Sequence, residues 1–361
     1  MDVATQGREH LWNGHGRSRW GLLAILLMTS LIVAACTGSD DDPGASANGA
    51  DESSGPITLY SGRSESLIGP LIEQFETATG IDVQVRYGDT AALAATLLEE
   101  GDRSPADVYL AQDAGALGAI EDAGLFTQLP ASQLDPIDDS FKSGNGQWVG
   151  VSGRARVIVH STGLQEAELP QSVFALTTPE WRGRVGWAPT NGSFQAFVTA
   201  MREIHGDAVT EAWLRDMLAN EVQEYPNNST QVQAVGDGEI EIGLVNHYYL
   251  FRFLAEDPDF PAANRYTDAG QAGALINVAG VGILASSQQR QAALRFVEYL
   301  LDEEAQTYFR DETSEYPLID GISPRDGIPS LEILSPPSLR LTSLADLEGT
   351  LDLLREVGAL P

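Results

Sequence analysis

From residue 57 onward the apolar positions change period several times, and each change marks an element. Ile57-Thr58-Leu59-Tyr60 predicts a short strand, and Ser61-Gly62-Arg63-Ser64 a turn out of it. Leu67, Ile68, Leu71, Ile72 and Phe75 then share one face at helical spacing, and Thr79-Gly80 supplies a C-terminal stop. Ile81 to Tyr87 alternates apolar and polar, as a strand does. Thr90 is the expected cap of a helix through Leu93, Leu97 and Leu98. Asp107-Val108-Tyr109-Leu110 reads as a strand, and Ala114 to Ala123 as a helix. This β-α-β-α-β-α order predicts an α/β unit with a largely parallel sheet. Ligands in such sheets bind beyond the carboxyl ends of the strands, so the loops after Tyr60 and Leu110 are candidate sites.

A second α/β pattern follows. Val149-Gly150-Val151, Arg156-Val157-Ile158-Val159 and Arg184 to Trp187 are strand-like. Asn191-Gly192-Ser193 leads into a helical face of Phe194, Phe197, Val198 and Met201. Ala208 to Leu218 predicts a helix, and Asn227-Asn228-Ser229 opens another containing Val232 and Val235. Glu239 to Val245 reads as a strand ending in Asn246-His247-Tyr248-Tyr249, after which Leu250, Phe251 and Leu254 continue as a helix. Ala274 to Leu284 is apolar and glycine-rich, a buried strand crossing between two lobes. Gln288 to Leu301 and Ser343 to Leu354 predict amphipathic helices.

The first residues follow a different grammar. Arg17 and Arg19 precede an apolar run from Gly21 to Ala35, and Cys36 follows directly. The run is shorter than the roughly 20 residues a spanning helix needs, and a basic start with small residues at its end predicts a secretory signal over 1–35. Residues 36–55, rich in Ser, Gly, Asp and Ala, cannot bury enough apolar surface to fold and are expected to form a flexible tether. What remains exceeds the size at which one core usually splits, so two lobes are expected.

Composition narrows the chemistry. The chain has 361 residues with 52 Asp+Glu against 21 Lys+Arg, a net charge of −31, which would repel a phosphate backbone and argues against nucleic acid. A single Cys excludes an internal disulfide and cysteine-built zinc sites. Nucleophile-elbow, zinc-protease, phosphate-loop and EF-hand motifs are missing from the sequence. Lys142 is the sole lysine, and beyond the signal only His160, His205 and His247 remain. Two features stand out. Asn191-Gly192-Ser193 and Asn228-Ser229 sit at helix starts, where free N–H groups favour an anion; ordinary capping explains each alone equally well. Tyr248 and Tyr249 sit where a strand hands over to a helix and can both turn toward a cleft. Phenolate oxygen suits a hard, highly charged cation such as Fe(III), which itself drives deprotonation; packing of two aromatic rings is the plainer alternative.

Several segments in order now resemble the ferric-ion-binding proteins and lipoproteins of bacterial iron(III) ABC importers. They are Leu59-Tyr60-Ser61-Gly62-Arg63, Phe75 to Ile81, Pro105-Ala106-Asp107-Val108, Ser152 to Val157, Asn246-His247-Tyr248-Tyr249 and Glu315-Tyr316-Pro317-Leu318. Val33-Ala34-Ala35-Cys36 is similar to a lipobox, which implies lipidation of Cys36 and an extracytoplasmic protein anchored to the cell membrane. The resemblance implies an α/β, class II periplasmic-binding-protein-like fold: two α/β lobes joined by crossover strands, with hinge closure on ligand. Lobe one is expected over 56–153 plus 278–315, and lobe two over 154–277 plus 316–361.

By the same resemblance Tyr248 and Tyr249 ligate Fe(III). Asn191, Gly192, Ser193, Asn228, Asn246 and Arg154 hold a synergistic anion, carbonate or phosphate. Two positions depart from the family: Ser64 stands where many relatives have His or Tyr, and Gln112 where many have Glu. Phe194 also replaces a tyrosine found in some relatives; with Ser64 and Gln112 the first lobe offers weak contacts, and Tyr109, Asp113 and Asp89 are the possible substitutes. The expected role is a monomeric, non-enzymatic binding component that passes ferric ion or ferric chelate to a permease and its ATPase. The alternative cargo is an oxyanion or small organic anion such as a phosphonate or carboxylate, and the alternative class is a surface hydrolase.

Overall fold

A computed structural model describes residues 55–361; the signal segment, Cys36 and the tether up to residue 54 lie outside the described residues. Nine strands are joined in one sheet: β1 (Ile57–Ser61), β2 (Val83–Tyr87), β3 (Val108–Ala111), β4 (Trp148–Ser161), β5 (Val185–Trp187), β6 (Gln223–Glu224), β7 (Ile242–Asn246), β8 (Ala262–Arg265) and β9 (Ile276–Ile283). Their order is β2-β1-β3-β9-β4-β7-β5-β6, with β8 also paired to β4.

The sheet is parallel on its flanks, where β1 pairs with β2 and β3, and β5 with β6 and β7. Its centre is antiparallel, a departure from the largely parallel sheet expected. The reason lies in β4. Val149–Val151 and Arg156–Val159, which read as two strands, belong to one buried strand of 14 residues. From Trp148 to Ala155 it pairs with β9, with a register shift between Gly150 and Ser152; from Arg156 onward it pairs with β7 and β8. Such a shift bends a strand and increases its twist. A strand that continues unbroken from one half to the other needs no crossover helix, so its partners return antiparallel.

Buried apolar residues form two clusters. One gathers Leu59, Phe75, Leu110, Trp148 and Phe296 and runs on across the sheet to Val157, Val232 and Val245; the other gathers Trp181, Trp187, Phe197, Trp213 and Met217. Helix Glu65–Thr79 buries Ile68, Leu71, Ile72 and Phe75 and ends at Gly80, whose φ of 71° is left-handed. Leu67 on the same predicted face is only half-buried. Helix Thr90–Glu100 is capped by Asp89 and not by Thr90: its carboxylate accepts from the Ala91 and Ala92 amides, and Thr90 is the first helical residue.

The C-terminal segment also differs from expectation. Residues 343–354 are not one helix: a 3₁₀ turn over Leu341–Ala345 precedes Asp346, which caps helix Leu347–Val357 by accepting from the Gly349 amide. The turn packs on helix Ala114–Asp122, where a side chain at Gly115 would stand 2.4 Å from the Leu344 carbonyl oxygen. Only glycine permits that approach. Helix Glu303–Asp311 went unread because charged residues dilute its apolar face of Ala305 and Phe309.

Glu121 is buried and accepts from Ser143 Oγ (2.7 Å), Asn145 Nδ2 (2.7 Å) and Trp148 Nε1 (2.8 Å). It fixes the entry into β4. Glu121→Ala removes the acceptor from three donors and is expected to cost about 3 kcal/mol. Urea denaturation of the two proteins measures it.

Candidate functional site

The site is assembled where β7 ends. All five residues of that strand are buried, and the chain passes through His247 directly into helix Tyr248–Glu256. The His247 amide donates to the Ala155 carbonyl at 3.0 Å, and its own carbonyl accepts from Asn264 Nδ2 at 2.7 Å. Its ring accepts at Nδ1 from the Ala155 amide (3.1 Å), which leaves Nε2 to donate to the Ser314 carbonyl (2.8 Å). Both nitrogens are spent on backbone, so His247 orients its neighbours. Burial lowers its pKa to about 3.

Tyr248 and Tyr249 open the helix and stack with ring centroids 4.4 Å apart and planes 27° apart. Tyr248 is 1% exposed and Tyr249 half-buried. The Arg252 guanidinium lies over both rings, 5.7 and 5.4 Å from their centroids. Among the described residues the Tyr248 hydroxyl has no hydrogen-bond partner at bonding geometry. Burial, then Tyr248, pushes the Tyr249 phenol far above its usual pKa, while Arg63 and Arg252 act the other way.

Three more guanidiniums surround this point. Arg63, just after β1, donates to Glu315 Oε2 at 2.6 Å in a fully buried ion pair, and Thr313 Oγ1 donates to the same oxygen at 3.0 Å. Burial opposes the Arg63 charge, but Glu315, Tyr248 and Tyr249 together hold its pKa above the usual value. Arg154 and Arg156 lie two residues apart on β4, so they project from the same face. Arg156 donates to the Leu244 carbonyl (2.7 Å) and to Ser193 Oγ (3.4 Å), and lies over Phe194 and Phe197. Burial lowers its pKa to about 9. Arg154 is 1% exposed, and none of its three guanidinium nitrogens has a partner among the described residues. Burial and the nearby Arg63 lower its pKa.

The asparagine-rich helix starts converge here. Asn191 caps helix Gly192–His205, its Oδ1 accepting from the Ser193 amide (3.1 Å), Ser193 Oγ (2.5 Å) and Asn228 Nδ2 (3.1 Å). Asn228 Oδ1 accepts from the Asn246 amide at 3.1 Å, and Asn246 Nδ2 has no partner among the described residues. Asn191, Ser193, Asn228, Asn246 and Arg156 thus form one network. A side chain at Gly192 would meet nothing within 4 Å, so the loop is open there.

The first half contributes less. Ser64 is exposed, its Oγ 3.1 Å from Ser66 Oγ. Gln112 is half-buried, donates its amide to Thr90 Oγ1 (3.1 Å) and lines a cavity of about 510 Å³ with Asn191 and Gly192. Of the substitutes considered from sequence, the Tyr109 hydroxyl donates to the Thr90 carbonyl (2.7 Å), while Asp89 and Asp113 each cap a helix through Oδ1. No cluster of three or more His, Cys, Asp or Glu able to hold a metal occurs among the described residues. Sequence reasoning missed the Arg63–Glu315 pair and Arg156. Arg63 and Glu315 stood in quoted segments, but 252 positions separate them and nothing local pairs them.

Residues 57–312 match the family of bacterial extracellular solute-binding proteins. The chain belongs to that family. Among the curated relatives of this solute-binding protein, the Fe(3+)-binding periplasmic protein of Serratia marcescens is 32% identical over 93% of this chain and 96% of its own. Iron-bound HitA from Pseudomonas aeruginosa superposes with a TM-score of 0.80 at 33% identity, covering 84% of this chain and 99% of that one. Trichodesmium IdiA (FutA), solved with iron and citrate, gives 0.73 at 28% identity, covering 84% and 99%. The fold is the two-lobed α/β arrangement of these binding proteins.

The His247 environment sets a pH dependence. Its folded pKa of about 3 lies below the unfolded 6.5, so the unfolded chain binds the extra proton as pH falls. Stability is undiminished by this group above about pH 6.5 and drops progressively toward pH 3. His247→Gln, whose amide can accept from Ala155 and donate to Ser314, is expected to flatten that part of the profile in denaturant titrations across the range.

Proposed function

We propose that this protein is the binding component of an ABC importer for ferric ion, capturing Fe(III) between its lobes and delivering it to a permease and its ATPase. The observation that carries this is the stacked Tyr248–Tyr249 pair at a helix start, with no partner at bonding geometry for the Tyr248 hydroxyl among the described residues and guanidiniums around it. Beside Tyr248, the half-buried Tyr249 phenol is a poor anion on its own. A trivalent ion supplies the field that removes their protons, and phenolate oxygen is a donor it prefers. Iron-binding and iron-uptake relatives over most of the chain support the reading.

Tyr248 and Tyr249 are the proposed ligands. Arg154, Asn246, Asn228 and the Asn191-Gly192-Ser193 loop are the proposed anion contacts, because Arg154 and Asn246 hold buried donors with no acceptor among the described residues. Carbonate or phosphate would satisfy them and offset the cation's charge. The role is that of a non-enzymatic receptor outside the cytoplasm, held at the membrane by a lipid on Cys36.

Loading with ferric ion is expected to produce a visible phenolate-to-iron charge-transfer band. Tyr248→Phe and Tyr249→Phe should each weaken iron binding by about 100-fold or more and shift or abolish the band. A colourless protein at saturating ferric ion, with affinity untouched by either substitution, would overturn the reading. Arg154→Gln is expected to abolish the dependence of iron affinity on phosphate while keeping the band, as titrations with and without phosphate would reveal.

A further inference from the structure

Two helices begin beside the candidate site, one from each lobe. Helix Ala114–Asp122 follows Gln112 and is capped by Asp113; helix Gly192–His205 is capped by Asn191. The C-terminal segment bridges them. Its 3₁₀ turn, Leu341–Ala345, packs on the first of these helices, and helix Leu347–Val357 packs on the second. Leu344, Leu347 and Leu351 also line the cavity of about 510 Å³ that Gln112 and Asn191 share. A lobe rotation that changes this gap therefore has to move the segment as well.

The two attachments are built differently. On the second lobe, Leu353, Leu354 and Val357 are buried in the cluster of Phe197, Trp213 and Met217. Thr199 and Thr350, both buried, bond through their hydroxyls at 2.8 Å. Arg202 pairs with Asp346 (2.9 Å) and donates to Thr350 Oγ1 (3.0 Å). On the first lobe the seat is made of backbone. A Cβ at Gly115 would collide with the Leu344 carbonyl oxygen, and one at Gly118 would stand 3.3 Å from Ala345 Cβ and 3.4 Å from the Thr342 carbonyl oxygen. Glycine inside a helix is costly against alanine, and the seated turn accounts for it at both positions. Asp346, between turn and helix, has φ −75° and ψ 61°, neither helical nor extended, so the two pieces meet at one residue.

We propose that residues 341–357 form an interlobe latch: the lobes open when the turn leaves Gly115 and Gly118, while helix Leu347–Val357 stays on the second lobe. A buried helix face and bonded side chains hold one end, and close backbone packing holds the other, so the turn is the end that parts first. The latch sets how readily the gap beside Gln112 and Asn191 widens, and with it the rates at which cargo enters and leaves. It acts on any cargo and so goes beyond the ferric reading.

The test is a disulfide across the seat. Gly118→Cys with Ala345→Cys puts two thiols where the Cβ separation, 3.3 Å, is near the ~3.8 Å mean of bonded pairs. Cys36→Ser in the same chain leaves no third thiol. Small-angle X-ray scattering without ligand compares the oxidised and reduced forms, and loss of ferric ion to EDTA compares the oxidised form with the wild type. The expected result is a smaller radius of gyration in the oxidised form and ferric loss slowed at least about tenfold. Gly115→Ala crowds the turn off its seat and is expected to do the reverse, enlarging the ligand-free protein and speeding ferric loss. Equal radii in the oxidised and reduced forms, or ferric loss as fast from the oxidised form as from the wild type, overturns the latch. Should the cysteine pair fail to fold, Gly115→Ala decides: a radius and a rate unchanged from wild type overturn the latch. Failure of ferric ion to bind the wild type overturns the ferric reading, and the scattering comparison still judges the latch.

Discussion

Buried positive charge without matching negative charge is the constraint on which the site depends. Strand β4 carries Arg154 and Arg156 into a region closed to water, and Arg63 approaches from the first lobe. Glu315 neutralises Arg63 through a fully buried bond, whereas neither β4 arginine has a carboxylate in bonding contact among the described residues. Removing a guanidinium from water costs several kcal/mol unless something replaces the lost solvation. Arg156 recovers part of that from the Leu244 carbonyl, Ser193 and two aromatic faces. Arg154 recovers none of it through hydrogen bonds with described residues. A protein that keeps such a group at the meeting point of two lobes stores an attraction for an anionic partner.

The same strand sets the mechanical frame. Because β4 pairs with β9 in one lobe and with β7 and β8 in the other, it couples the two cores without a break. The change of partner falls between Ala155 and Arg156, beside the arginine pair. His247 is bolted there by bonds to Ala155 and Ser314, so the tyrosines that follow it are positioned by the junction itself. The charge, the tyrosines and the junction between lobes occupy one place, and a rotation there would change all three together.

Much of this was legible in the sequence, for identifiable reasons. The tyrosine pair and asparagine loops lie at ends of strongly patterned elements, so their placement follows from local periodicity. Arg154 was legible only through resemblance. The single long β4 was not legible, because Ser152 to Ala155 interrupts the apolar pattern with small and charged residues that are buried all the same. Asp89 and not Thr90 caps its helix because both residue types cap well, and the Thr90 hydroxyl is needed by Gly62 and Gln112. The Arg63–Glu315 pair and the bridging C-terminal segment are long-range features, invisible to any local rule. Near Ser64 and Gln112, Asp89 and Asp113 each use one carboxylate oxygen to cap a helix, and the Tyr109 hydroxyl donates to a backbone carbonyl.

These features bear together on what kind of iron the site can take. A bare ferric ion would enter beside buried guanidiniums, and only the phenol protons would leave in exchange. If Tyr248 and Tyr249 are the ligands, as proposed, two phenolates do not balance a trivalent ion, and the arginines add to the surplus. Cargo that arrives with its own anionic oxygens lowers that surplus and gives Arg154 and Asn246 something to bond. On that proposal the charge balance favours iron that arrives with hard anionic donors over the bare ion. Selection of this kind works through cost on the wrong cargo as much as through contact with the right one.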